Sequence, residues 1–283
     1  MIADLRPRGP YSLRVSGRHA SDVTRVVARG EYRATIAVEG RLERVEASQR
    51  TDGIVSVRAE SEAGVEHVRF VLGLDDDHSE FLERFADDPM LGETIRRFRG
   101  LRPLRTATVA HALLRAVSGQ LIKARRAREI ERTIVRRTTE ALDGLQAAPT
   151  GADLGRLSPA ELRNLGLGAR RGATLVRLCR SLDLESLKAL PTDQVARRLE
   201  RERGLGPWSV GVVCLQGLGR LDAGLVGDLG LVKLMRALLG RRVETDETAA
   251  LLEPYREWAG IASVYLISGF ARGLLPVHEL RAA

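Results

Sequence analysis

Two features of this chain stand close enough in sequence to do chemistry together. The first is Gly204-Leu205-Gly206, set between two helical patterns. Glycine accepts positive φ, so the backbone can turn sharply there. The amides of Gly206, Trp208 and Ser209 are then left at a helix N-terminus, where unpaired N–H groups and the helix dipole attract a phosphate. Such a hairpin can hold a nucleic-acid backbone without reading its bases. An ordinary helical hairpin with a glycine cap has the same local sequence, and the residues alone leave both readings open. The second feature is Asp228, 22 residues beyond Gly206 and directly before the apolar pattern Leu229-Gly230-Leu231-Val232. An aspartate there caps a helix, and the first-turn amides suit its negative charge. Cap and fixed catalytic charge are again both open.

Four segments, in order, carry a family resemblance. They are Ser118-Gly119-Gln120-Leu121-Ile122, Leu165-Gly166-Leu167-Gly168-Ala169-Arg170-Arg171, Gly204-Leu205-Gly206-Pro207-Trp208-Ser209, and Val226-Gly227-Asp228-Leu229-Gly230-Leu231. Together they resemble the helix-hairpin-helix DNA glycosylase superfamily, and within it the alkylation-repair branch of bacterial 3-methyladenine DNA glycosylase II. The resemblance is strong from about residue 100 to 270 and loose before it. It implies hydrolysis of an N-glycosidic bond, with Asp228 as the carboxylate that stabilises positive charge growing on the sugar. It implies a phosphate-holding hairpin at Gly204, Leu205, Gly206 and Ser209. Gln120 and Leu121 match the segment that enters the base stack, where an apolar wedge fills the hole left by an extruded nucleotide. Leu121 also continues the apolar stripe Val109, Leu113, Leu114, Val117, so a core role is the competing expectation.

Trp208 occupies the position at which lyase-type relatives carry a lysine. An indole is no nucleophile, but its π face can stack on an extruded, cationic base. The expected enzyme is therefore monofunctional, removing a damaged, alkylated purine from duplex DNA. A glycosylase for oxidised or deaminated bases, or a non-catalytic DNA-binding protein, is the alternative. Departures concern the pocket: Val212 and Ile267 stand where relatives often have aromatics, and Glu257-Trp258-Ala259 replaces a Pro-Trp-Arg segment.

These residues need a scaffold, and the chain supplies two kinds. From about residue 10 to 74 apolar residues tend to alternate, as in Tyr32, Ala34, Ile36 and Val38, with glycines at hairpin intervals. An α+β domain over residues 1–85 is expected, with an antiparallel sheet, a helix near Ala20–Ala28, and Val65–Leu72 as the last strand. Asp75-Asp76-Asp77-His78 is read as a solvated turn capping a helix at Ser79–Phe85, because consecutive carboxylates point different ways. Residues 86–283 read as an all-α domain, with helices at about 126–142, 158–164, 169–182, 184–190, 192–202, 207–219, 228–239, 246–253 and 257–273.

The chain has 283 residues and a net charge of +8, carried by arginine almost alone; Lys123, Lys188 and Lys233 are its lysines. That balance suits an anionic partner, here double-stranded DNA carrying damaged bases. Arg96, Arg97, Arg99, Arg102, Arg105, Arg125, Arg126, Arg128, Arg132, Arg136 and Arg137 form a diffuse basic face. Cys179 and Cys214 fall in apolar helical stretches and read as buried thiols of a reducing compartment. Clustered cysteines of an iron–sulfur relative, a GxxxxGK phosphate loop, a nucleophilic triad and a metal-spaced histidine set are all missing. No cofactor or metal is expected. The N-terminus has no apolar signal region and no run reaches membrane length, so a cytoplasmic, nucleoid-associated monomer is the expectation.

Overall fold

The structure is a computed structural model that describes residues 1–277. Its first part is a five-stranded antiparallel sheet in the order β1-β5-β4-β3-β2, from β1 (Ile2–Leu5), β2 (Arg25–Ala28), β3 (Glu31–Val38), β4 (Arg41–Gln49) and β5 (Val55–Arg58). Alternation sets its register: Ala34 pairs with Val45 and Tyr32 with Ala47, all four buried on one face. A short α1 (Leu13–Ser16) and a longer α2 (Glu62–Val71) accompany the sheet.

Two expectations fail in this part. Arg25–Ala28 is strand β2, not helix, and pairs with Glu31–Ala34 across a turn at Arg29-Gly30. Val65–Leu72 is not a strand. Ser61 accepts a hydrogen bond from the Gly64 amide and caps α2, which buries Gly64, Val65, Val68 and Val71. That spacing is helical, and the apparent alternation of Val68, Phe70 and Leu72 is a short-window coincidence.

The rest is helical: α3 (Ser79–Arg84), α4 (Gly92–Arg97), α5 (Val109–Gly119), α6 (Ala124–Thr138), α7 (Gly151–Gly155), α8 (Pro159–Asn164) and α9 (Ala169–Ser181). After a 3₁₀ turn come α10 (Thr192–Glu200), α11 (Pro207–Val212), α12 (Leu229–Leu239), α13 (Thr248–Leu252) and α14 (Ala259–Phe270). α11 runs on into a π-helical turn at Val213–Gly217. One exception to all-α is a hairpin of β6 (Ala141–Leu142) and β7 (Leu145–Gln146), which lies against the first sheet. Thr35 Oγ1 donates to the Leu142 carbonyl at 3.0 Å, and Gln146 N to that of Val23 at 2.9 Å.

Apolar side chains gather in two cores. One runs from Leu5 to Leu74 with Leu104; the other holds Val23 and then Phe81 onward. Phe81, Leu82 and Phe85, which a division at residue 85 leaves with the sheet, pack into the helical core, Phe81 against Tyr265 at 5.3 Å between ring centres. The acidic turn before them is not simply solvated. Asp77 caps the Ser79 amide, Asp76 pairs with Arg105, and His78 is fully buried beside Arg102. Arg102 donates to the carbonyls of Gly73 and Pro10, so Arg102 and Arg105 leave the basic face and bind the two parts together.

A second polar joint lies at Arg115 of α5. Its guanidinium bonds Asp22 and Glu131, each at 2.8 Å, and His111 Nε2 lies 2.8 Å from Glu131. Burial would raise both carboxyls; for Asp22, Arg25 and Arg115 outweigh it, and Glu131 is held down to about 2 by Arg115 and His111. Asp22, His111 and Glu131 are the group among the described residues that clusters with metal-ligand geometry, and its cation is Arg115. This joint holds α5, whose far end carries the Gly119-Gln120-Leu121 segment.

Candidate active site

The sequence places the site at three turns, and the fold brings all three together. At the first, α12 begins on Asp228. Gly227 has φ 88 and donates its amide to the buried Thr248 Oγ1 at 2.7 Å, which fixes the approach to the helix. Asp228 Oδ1 then accepts the Gly230 amide at 2.7 Å, a helix cap. Its other oxygen, Oδ2, accepts the Trp208 Nε1–H at 3.0 Å. A carboxylate offers about four acceptor sites, so lone pairs on both oxygens stay free for a water or a sugar. Asp228 is half-buried, and Leu229 beside it is 57% exposed.

At the second turn α10 leads into α11. Gly204 has φ 96, and a Cβ there would meet Thr174 Oγ1 at 2.4 Å, so both the conformation and the space demand glycine. Leu205 is only 8% exposed and plugs the turn into the helical core. Gly206 is the N-cap of α11, with open space around it. Among the described residues the amides of Gly206, Trp208 and Ser209 have no hydrogen-bond acceptor. The expected set is thus divided: backbone amides face outward, while the Leu205 side chain and the 2%-exposed Ser209 hydroxyl face inward.

The third turn follows α5. Gln120 leaves the helix, and its side-chain amide donates to the Gly204 carbonyl and to Ser209 Oγ, both at 2.9 Å. It ties this turn to the hairpin. Leu121 projects. It is 99% exposed and has φ 56, a conformation that costs a non-glycine residue about 1–2 kcal/mol. The core reading of Leu121 is therefore overturned: α5 ends at Gly119, and the apolar stripe ends with it. Arg171, at the start of α9, donates to the Gln120 carbonyl at 3.1 Å and steadies the turn from below.

Trp208 joins the three turns. The half-buried ring gives its N–H to Asp228 and lies so close to Gly119 that a Cβ there would be 2.6 Å from its Cη2. Ile267 of α14 packs on Gly230, whereas Val212 is 3% exposed and belongs to the core, so an aromatic at that position would not stand open to a base. Trp258 packs on Phe81, away from this cluster. Arg125 and Arg126 share Glu129, and Arg96 and Arg97 share Glu93, in exposed pairs along their own helices. Cys179 and Cys214 are pushed up to about 12 by burial and offer no nucleophile.

Comparison with solved structures identifies the fold. A 3-methyladenine DNA-glycosylase from Archaeoglobus fulgidus superposes with a TM-score of 0.82 at 20% identity, over 95% of this chain and 98% of that one. An 8-oxoguanine glycosylase/lyase from Clostridium acetobutylicum, solved with double-stranded DNA, gives 0.75 at 20% identity over 96% and 98%. This is the fold of the helix-hairpin-helix DNA glycosylases. In sequence the chain is 25% identical over 256 residues to a DNA-3-methyladenine glycosylase of Bacillus subtilis, covering 86% of this chain and 84% of that one. It is 26% identical over 203 residues to a probable bifunctional transcriptional activator/DNA repair enzyme AlkA of Mycobacterium tuberculosis, 70% of this chain and 41% of that one. The resemblance read from the sequence thus holds for the helix-hairpin-helix glycosylases and for their alkylation-repair branch. No family model matches the chain.

Sequence reasoning missed Thr248, Arg171 and the bonding of Gln120. Arg171 lay inside a matched segment, and the side-chain amide of Gln120 beside a helix end was a signal for a cross-turn bond. Thr248, the first residue of α13, gave none.

Proposed function

We infer that the chain is a monofunctional DNA glycosylase that hydrolyses the N-glycosidic bond of a damaged purine, of alkylated type, in duplex DNA. The observation that carries this is the doubly anchored carboxylate of Asp228, set between a projecting leucine and a row of free helix-start amides. In this reading those amides, at Gly206, Trp208 and Ser209, hold a phosphate beside the lesion. Leu121 enters the stack and the damaged nucleotide swings out, a step that costs least for a base already poorly paired. Asp228, held in one orientation, faces the sugar as positive charge builds on it and orients the attacking water. An oriented charge in a partly dry site stabilises the transition state more than a free one in water.

Hydrolysis and not β-elimination is the expected outcome, because an indole stands where an amine would be needed. Lys188 is paired with Glu185, and Lys233 lies five residues along α12 from Asp228, off its face. In this reading the Trp208 face also lines the base pocket, where a cationic methylpurine would be favoured. One observation favours the oxidised or deaminated alternative: the neighbouring wall at Ile267 is aliphatic. The division of labour is part of the proposal, the helical unit acting and the sheet unit supporting, with the change of core between Leu74 and Phe81. The test is a panel of duplexes, each with one 3-methyladenine, 7-methylguanine, hypoxanthine or 8-oxoguanine, scored for alkali-labile sites and for borohydride-trapped adducts. Alkali-labile sites at the methylpurines without adducts are expected. No labile site on any duplex, or an adduct lost in Lys123→Ala, contradicts the reading.

A further inference from the structure

Trp208 has a second task, and it rests on the glycosylase reading. We propose that Trp208 is a positioning residue for the catalytic carboxylate: its Nε1–H fixes the Asp228 Oδ2 atom, and its ring carries that constraint to the end of the wedge helix at Gly119.

Three contacts support it. The indole N–H and the Gly230 amide each take a different oxygen of Asp228, at 3.0 and 2.7 Å, which removes rotation about the last side-chain bond. A single cap bond to Oδ1 would leave Oδ2 free to swing. Hydrogen bonds to a charged acceptor are the strong ones, and rigid donors lose little entropy in making them. The far edge of the same ring fills the space a Cβ would need at Gly119, 2.6 Å from Cη2 and 3.4 Å from Cζ3. Gly119 is the last residue of α5, and helix propensity alone would favour alanine over glycine there. The space is needed by the indole. Finally, Trp208 is the second residue of α11, directly behind the Gly206 cap, so the hairpin sets its backbone. One side chain thereby links hairpin, wedge turn and carboxylate. At this position the indole does more than leave out an amine: it donates to the carboxylate.

The test isolates the N–H from the ring. Trp208 is replaced by benzothienylalanine, which keeps the fused ring and puts sulfur in place of the N–H, and in parallel by Trp208→Phe. Single-turnover excision at saturating enzyme is read on the lesion that wild type removes fastest, beside the Kd for an abasic duplex. The expected result is a rate about tenfold lower or more, with Kd within about twofold of wild type. Gly119→Ala, which forces the ring aside without touching any reacting group, is expected to lower the rate in the same way. Wild-type rates in the benzothienyl protein overturn the proposal, as does a weakened Kd with an unchanged rate, which would make Trp208 a pocket wall alone. An activity-independent arm separates this failure from failure of the glycosylase reading. The chain has two tryptophans, so its ¹H–¹⁵N spectrum holds two indole resonances, with Trp258 as the internal reference. The Trp208 indole N–H is expected to be protected from exchange and to move in Asp228→Asn. An indole N–H that exchanges freely and ignores Asp228→Asn overturns the proposal whether or not any lesion is excised.

Discussion

Leu121 and Leu205 occupy comparable turns and meet opposite fates. Each stands between the end of one helix and the start of the next, close to a glycine. Leu205 is 8% exposed, and the positive φ its turn requires falls on Gly204, at no steric cost. Leu121 is 99% exposed and takes the positive φ itself. In the hairpin the backbone amides are left open and the side chain anchors the turn. In the turn after α5 the side chain gains nothing from the fold and the backbone is strained to present it. A strained, exposed apolar residue held by Gln120 and Arg171 is a cost without a folding return, and such costs collect at functional sites.

The sharpest way to break that contrast is to truncate both leucines. Leu205→Ala should cost about 3 kcal/mol in urea unfolding, the usual range for a leucine removed from a core. A loss below about 1 kcal/mol would mean that the hairpin does not depend on its plug. Gln120→Ala comes next. It removes two hydrogen bonds that join the turns, and about 1–2 kcal/mol should go with them. Lesion excision should fall with it while hairpin binding to undamaged duplex persists; equal losses on both would show that the two turns are not separate devices.

Leu121→Gly reverses the sign. It relieves the left-handed conformation and buries nothing less, so stability should stay constant or rise by up to about 1 kcal/mol. Excision should nonetheless drop about tenfold or more, since the stack is no longer filled. A variant that is both less stable and fully active would return Leu121 to a structural role. Gly206→Val is the mildest on stability, expected within about 1 kcal/mol, because the space around Gly206 is open. Its effect belongs to binding: affinity should fall alike for damaged and undamaged duplexes, with a shallower salt dependence. Loss of lesion preference at unchanged affinity would contradict a phosphate grip.

The two leucines also mark what could be read from sequence. The turn glycines, Asp228 and the order of the helices α8 to α14 were legible, because glycine chemistry, capping and 3.6-residue periodicity are local properties. Helix α2 was not, since Val68, Phe70 and Leu72 alternate as in a strand while Val65, Val68 and Val71 follow a helix, and only packing on the sheet decides. The direction of Leu121 was not either. A stripe continued by one residue looks the same whether the helix goes on or ends at Gly119, and what ends it is distant in sequence: the Gln120 amide on Gly204 and Arg171 on the Gln120 carbonyl. Arg102 and Arg105 misled for a related reason, since an arginine that will be buried against carbonyls is indistinguishable from one that will meet phosphate.

What most directly tests the central claim is excision by Asp228→Asn. Asparagine keeps an acceptor for the Gly230 amide, so the cap survives, while its nitrogen faces the Trp208 N–H and the charge is gone. Single-turnover excision of a methylpurine is expected to fall by about a hundredfold or more, with duplex affinity retained and unfolding stability within about 1–2 kcal/mol of wild type. Excision at the wild-type rate in a folded, DNA-binding Asp228→Asn protein would contradict the claim that this carboxylate is the catalytic group.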